Sequence, residues 1–204
     1  MRTISSLILI LLTTISNAQD AEYQDYRKKT ESFSRVSDKE IRSDLASFTI
    51  GGIEESLGKT PMKKIPLAGY DSNTIQFAEK NLHIAVSTGV FIPTKHKLIY
   101  EGKSLVKIDG KPFYGNYGKI PQTTITAVTV IVGADTIRIP QTAIFDLYNH
   151  VFNSADAVYI SGDKRKIYVY MLSKDNAGSY EVTWIIQDNK YLRRILDFGF
   201  SKPQ

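Results

Sequence analysis

Three histidines and no cysteine set the chemical limits of this 204-residue chain. Without a thiol there is no cysteine nucleophile and no thiolate metal ligand. His83, His96 and His150 lie far apart, and none stands in an H-x-x-x-H or H-E-x-x-H setting. The i, i+4 pair that holds zinc on one helix face is therefore missing, and no cofactor or metal is implied. The chain also lacks a G-x-S-x-G elbow, a phosphate-binding loop and a dinucleotide fingerprint. Sequence reasoning nominates no catalytic residue.

Carboxylates remain the route to hydrolysis, because a glycosidase needs only two, brought together in space. Glu54 and Glu55 are adjacent and would point to opposite sides of an extended chain. Asp109, Asp135, Asp163 and Asp188 fall where turns are expected, and a short carboxylate there has a local backbone role. Asp175-Asn176 with Gly178 lacks the alternating oxygen ligands of a calcium loop and reads as a hairpin loop. Asp146 is the one acid close to other functional side chains, Tyr148 and His150, and reads as part of a solvated helix face.

Cations interleave with aromatics at Lys164-Arg165-Lys166 and Arg193-Arg194. That mix suits a stacking platform for single strands. Arg193 and Arg194, however, point to opposite faces of a strand, and the formal charge of +5 is too small for a nucleic-acid footprint. Nucleic acid is not the expected partner.

The elements that must position these groups are mostly strands. Ile75/Phe77 and Leu82/Ile84/Val86 alternate with polar or small residues across a break at Glu79-Lys80. Leu105 to Ile108 runs into Asp109-Gly110, a dipeptide suited to a type I′ hairpin, with Pro112 limiting the returning strand. Thr123 to Val132 turns at Gly133-Ala134-Asp135 and returns through Ile137 and Ile139, both strands reading as buried. Two further hairpins are expected across Gly162 to Arg165 and across Asp188-Asn189. A short helix is predicted after the capping-box pattern Ser37-Asp38-Lys39-Glu40, with Ile41, Leu45 and Phe48 on one face and Gly51-Gly52 as its stop. A second is predicted after Pro140, with Ile144, Phe145 and Tyr148 on one face. Residues 53–73, rich in Gly and Pro, read as a long connection. The fold class is therefore α+β, dominated by antiparallel β hairpins in a sandwich or partly closed barrel, with two short helices.

Hairpin parity sorts the faces, since residues opposed in an antiparallel pair share a side. Val158, Ile160, Ile167, Val169 and Met171 form a core face, leaving Tyr159, Ser161, Lys166, Tyr168 and Tyr170 opposite. In the last hairpin the same rule groups Tyr180, Val182, Trp184 and Ile186 with Tyr191, Arg193 and Ile195, so that Trp184 faces Arg193. The tyrosines admit two readings. They pack beneath another element, or they form an exposed amphipathic surface able to stack on sugar rings or dock a protein. Tyr159, Lys166, Tyr168 and Tyr170 are the nominated binding surface on the second reading.

Location comes from the first residues. Met1-Arg2, the aliphatic run Leu7 to Leu12 and Ser16-Asn17-Ala18 have the n-region, h-region and cleavage character of a signal peptide. Taking 18 residues from 204 leaves 186, enough for one domain, and removing Arg2 takes the formal charge to +4. The expected organisation is a signal peptide at 1–18, a polar arm at 19–37 and a single β-rich domain at 38–204. Export without cysteine excludes disulfides and fits a bacterial envelope protein, periplasmic or extracellular, with no integral membrane segment after cleavage. The combination is common among Gram-negative envelope proteins, and no motif in it names a family. The expected function is non-catalytic binding of an envelope protein or a glycan through the aromatic-basic face. The alternatives are a hydrolase of envelope polymers using loop carboxylates, and a structural subunit assembling through strand edges.

Overall fold

The computed structural model of the chain describes residues 24–27, 35, 37–40, 44 and 62–198, apart from 117 and 175–177. The expected signal peptide, the Gly51-Gly52 stop and the Asp175-Asn176 loop lie outside the described residues. Among the described residues, no helix is long and apolar enough to cross a membrane.

The architecture is mostly antiparallel β, in three sheets. The strands are β1 Gln24–Arg27, β2 Lys63–Ile65, β3 Leu67–Tyr70, β4 Thr74–Glu79, β5 Leu82–Val90, β6 Leu98–Glu101 and β7 Ser104–Ile108. They continue as β8 Thr123–Val132, β9 Asp135–Arg138, β10 Ala157–Ile160, β11 Lys166–Ser173, β12 Tyr180–Gln187 and β13 Lys190–Phe198. One sheet has six strands in the order β1-β13-β12-β11-β10-β2, and a second has five in the order β3-β4-β5-β8-β9. The inner faces of these two sheets share one core, in which Ile75, Phe77, Ile84 and Val130 meet Val158, Val169, Val182 and Trp184. This is the sandwich solution to burying two apolar faces. The small pair β6-β7 covers a separate cluster of Phe91, Leu105, Ile108 and Tyr148.

Several expectations need correction. The helix expected after Pro140 is only a 3-10 turn, Gln141–Ala143. The helix expected after residue 37 falls largely outside the described residues; Lys39, Glu40 and Asp44 are helical. Its start is capped by Asp38, whose Oδ1 accepts the Glu40 amide at 2.8 Å, rather than by Ser37. Asp109-Gly110 closes no full hairpin, because Pro112 offers no ladder donor and only an isolated bridge joins Ile108 to Lys111. β7 pairs back with β6 instead. β9 is an edge strand with a single buried residue, Ile137, so it is not well buried. The stretch read as one connection holds two short edge strands, and the chain changes sheet at Pro66 between them. The polar arm also contains sheet structure, since β1 pairs in parallel with β13.

The last hairpin carries the most consequential difference. Its turn residues Asp188 and Asn189 both have positive φ, as a type I′ turn requires. A register shift between Ile185 and Ile186 then takes the pairing from Ile186↔Tyr191 to Ile185↔Arg193, which leaves Leu192 as an extra residue on β13. A one-residue bulge exchanges the faces of every residue beyond it. Arg194, not Arg193, therefore opposes Trp184 and points into the core, fully buried. There it donates to Asp146 through Nη1 at 2.5 Å and Nη2 at 3.1 Å. Asp146, read from sequence as solvated, is 1% exposed. The Ala143 carbonyl accepts from both Trp184 Nε1, at 2.8 Å, and Arg194 Nη1, at 3.3 Å.

Removing one partner of such a pair strands a buried charge, which costs roughly 3–5 kcal/mol. Asp146→Ala is accordingly expected to lower stability by about that amount in urea denaturation. The double change Asp146→Leu with Arg194→Met should recover most of the loss, because neither charge then remains.

Candidate functional site

The nominated tyrosines do share one face, as parity requires. Tyr159, Tyr168 and Tyr170 cluster with Ala157, Leu172, Ile185 and Ile195 on the outer side of the six-stranded sheet. The exposure that a binding surface needs is absent, however: the three tyrosines are 6%, 5% and 1% exposed. Asp44 lies against them. Its Oδ1 accepts from Lys166 Nζ at 2.9 Å and from the Tyr168 hydroxyl at 3.1 Å, and its Oδ2 is 3.4 Å from Arg193 Nη1. The Tyr170 hydroxyl donates to buried Glu181 at 2.9 Å. Burial pushes the Tyr159 phenol above its ordinary pKa. Packing beneath another part of the chain, the first of the two sequence readings, describes this face. On the same side of β12, Glu181, Thr183 and Ile185 are likewise all buried.

The histidines do not converge. His83 lies part-way along β5, opposite Ala78 on one side and Ile131 on the other. His96 stacks on Phe91, with ring centroids 4.6 Å apart, and its Nδ1 is 2.7 Å from Asp109 Oδ2. This contact, with the Lys97 amide, holds the Asp109 carboxyl below its usual range. His150 is buried with Asp156: Nε2 is 3.0 Å from Asp156 Oδ2, and Nδ1 is 3.5 Å from the Tyr180 hydroxyl. Asp156 also accepts the amides of Asn153 and Leu172, both at 2.9 Å, so it organises the loop ahead of β10. A Tyr-His-Asp chain of this kind could relay a proton, but all three side chains are enclosed in the fold. Among the described residues, no group of three His, Asp or Glu side chains is arranged to hold a metal ion.

No protein-family model matches the chain, and no curated protein or solved structure does either.

Among the described residues, the end of the sandwich where three turns meet is open. Lys80-Asn81 joins β4 to β5, Gly162–Arg165 joins β10 to β11, and Asp188-Asn189 joins β12 to β13. Between them lies a cleft of about 670 Å³, inside the ~300–1,000 Å³ range of small-molecule sites. Its floor is the outermost layer of the core, Ile65, Leu82, Ile167 and Ile186, and its walls include the partly exposed Val132 and Ile160. The rim is polar. Lys63 on β2 pairs with Glu79 on β4, tying one sheet to the other at the cleft edge. Arg165 grips Asp188 with two hydrogen bonds, Nε to Oδ1 at 3.1 Å and Nη2 to Oδ2 at 2.7 Å, which hold the Asp188 carboxyl below its usual range.

Sequence reasoning missed this cleft. The turns were legible, and the two on the six-stranded sheet had to lie at the same end by hairpin alternation. Which end of the second sheet faces them depends on how the sheets stack, and local sequence does not encode that.

Two measurements check the burial described here. With a tyrosine-nitrating reagent and mass spectrometry, Tyr70 and Tyr100, 54% and 46% exposed, should react well before Tyr159, Tyr168 and Tyr170. The second is alkaline titration. Burial, with the charges of Asp109 and Asp146, pushes the Tyr148 phenol up to about 12, and burial pushes Tyr180 in the same direction. An unfolded tyrosine ionises near 10. The stability that the neutral Tyr148 phenol contributes is therefore complete below about pH 10 and lost as the pH rises towards 12. Tyr148→Phe should retain more of its stability across that window in pH-dependent denaturation.

Proposed function

We propose that the protein is an exported, non-catalytic binding domain of the bacterial envelope whose ligand enters the open end of the sandwich. One observation carries this reading: the cleft between the turns is a concave space of ligand size, more apolar than polar in its lining, that the side chains of the described residues leave unfilled. Concave apolar sites with a few polar groups at the mouth are the usual form of small-molecule binding sites. The signal-like first residues support export. Four carboxylates among the described residues that could serve hydrolysis have structural uses instead. Asp146 neutralises Arg194, Asp156 orders a loop, and Asp163 and Asp188 are engaged within turns. Binding of a protein or glycan through Tyr159, Lys166, Tyr168 and Tyr170 would first require the Asp44 contacts to break.

The cleft is tested with Nile red, an uncharged dye that brightens in apolar surroundings. The wild-type protein should enhance its fluorescence saturably. Val132→Trp, which fills the cleft from a partly exposed wall position, should abolish the enhancement while leaving the melting temperature within a few degrees. Saturable enhancement that survives Val132→Trp would place the dye elsewhere and refute the reading.

A further inference from the structure

The residues that line the cleft also specify what enters it; this step rests on the cleft being the ligand site. Its interior surfaces are aliphatic, and among the described lining residues there is no aromatic side chain. Sugar rings are commonly held by stacking on aromatic planes, and none is offered here. A flexible hydrocarbon chain gains instead from any aliphatic wall, because the gain scales with apolar area removed from water.

The rim supplies the second half of the specification. Four cations and two carboxylates line the cleft, a local excess of positive charge. Lys63 is engaged by Glu79, and Arg165 by Asp188. Lys80 and Lys164 have no carboxylate partner among the described residues. Both are turn residues with positive φ, 51° and 60°, so the hairpin geometry fixes their backbones on opposite sheets at the cleft mouth. We propose that the cleft binds an amphiphile with a single aliphatic chain and an anionic head group, the chain among Ile65, Leu82, Ile160 and Ile186 and the head between Lys80 and Lys164. A free alkyl phosphate or carboxylate and a lipid head group share this chemistry. The concave, aliphatic interior favours the free amphiphile, whose chain is available to enter.

The test is displacement of Nile red from the purified protein at low ionic strength by octyl phosphate, by octanol and by inorganic phosphate, with sedimentation on phosphatidylglycerol vesicles in parallel. Octyl phosphate should displace the dye about five- to tenfold more strongly than octanol, the scale of two exposed charge contacts. Inorganic phosphate should not displace it, and the vesicles should not retain the protein. The variant Lys80→Asn with Lys164→Asn keeps residues that tolerate positive φ. It should bind octanol as before and lose the preference for octyl phosphate. Equal displacement by octanol and octyl phosphate would overturn the proposal, as would a preference that survives in the double variant, or vesicle binding without displacement by the free amphiphile. If Nile red itself fails to bind, the cleft reading falls. If it binds and no anion preference appears, only the ligand class falls.

Discussion

The ion pair between Arg194 and Asp146 is the constraint on which the arrangement of this molecule turns. A fully buried guanidinium needs its charge and its donors answered inside the protein. Here the answer comes from the other side of the sandwich, where the 3-10 turn Gln141–Ala143 presents the Ala143 carbonyl and the following loop presents Asp146. Trp184 shares the same carbonyl. The pair thus fixes β12 and β13 against the connection that leaves β9. It also depends on the Leu192 bulge, because without that extra residue Arg193 would face the core and Arg194 the outer side. Once Arg194 is inside, Arg193 must be outside, where it meets Asp44 beside Lys166 and Tyr168. One inserted residue therefore sets both the inner clamp and the outer cover.

Much of the strand content was legible, and for physical reasons. Alternation in Ile75/Phe77 and Leu82/Ile84/Val86 needs only the two-residue repeat of a strand. The sorting of Val158, Ile167, Val169 and Met171 from Tyr159, Tyr168 and Tyr170 needs only an even turn, and it holds in β10 and β11. The same rule failed in β13 because a bulge without glycine leaves no mark in the sequence. The helix expected at Ile144, Phe145 and Tyr148 failed for another reason. Apolar residues at that spacing also suit an irregular loop that dips repeatedly into a core, and Ile144 and Tyr148 are indeed buried without a helix. Asp44 was not legible as a partner of Lys166, since 122 residues separate them.

The candidate site was hidden for a related reason. Its residues are ordinary turn cations and core aliphatics, each fully explained by its local position. Only the stacking of two sheets brings the Lys80 and Lys164 turns to one mouth. The tyrosine ladder drew attention because its composition is unusual, yet polar partners inside the fold, Asp44 and Glu181, account for two of its hydroxyls. Buried tyrosines that find hydrogen-bond partners suit a covered sheet face as well as they suit an interface. Conspicuous residues here serve the fold, and inconspicuous ones frame the opening.

The most direct measurement is methyl NMR of the isoleucine-, leucine- and valine-labelled protein titrated with octanol, whose lack of charge makes the result independent of head-group preference. The account predicts saturable shifts at Ile65, Val132, Ile160 and Ile186, with Leu172 and Ile195 on the tyrosine face unmoved. Shifts confined to Leu172, Ile185 and Ile195 would contradict it, placing the ligand on the face that the structure shows covered.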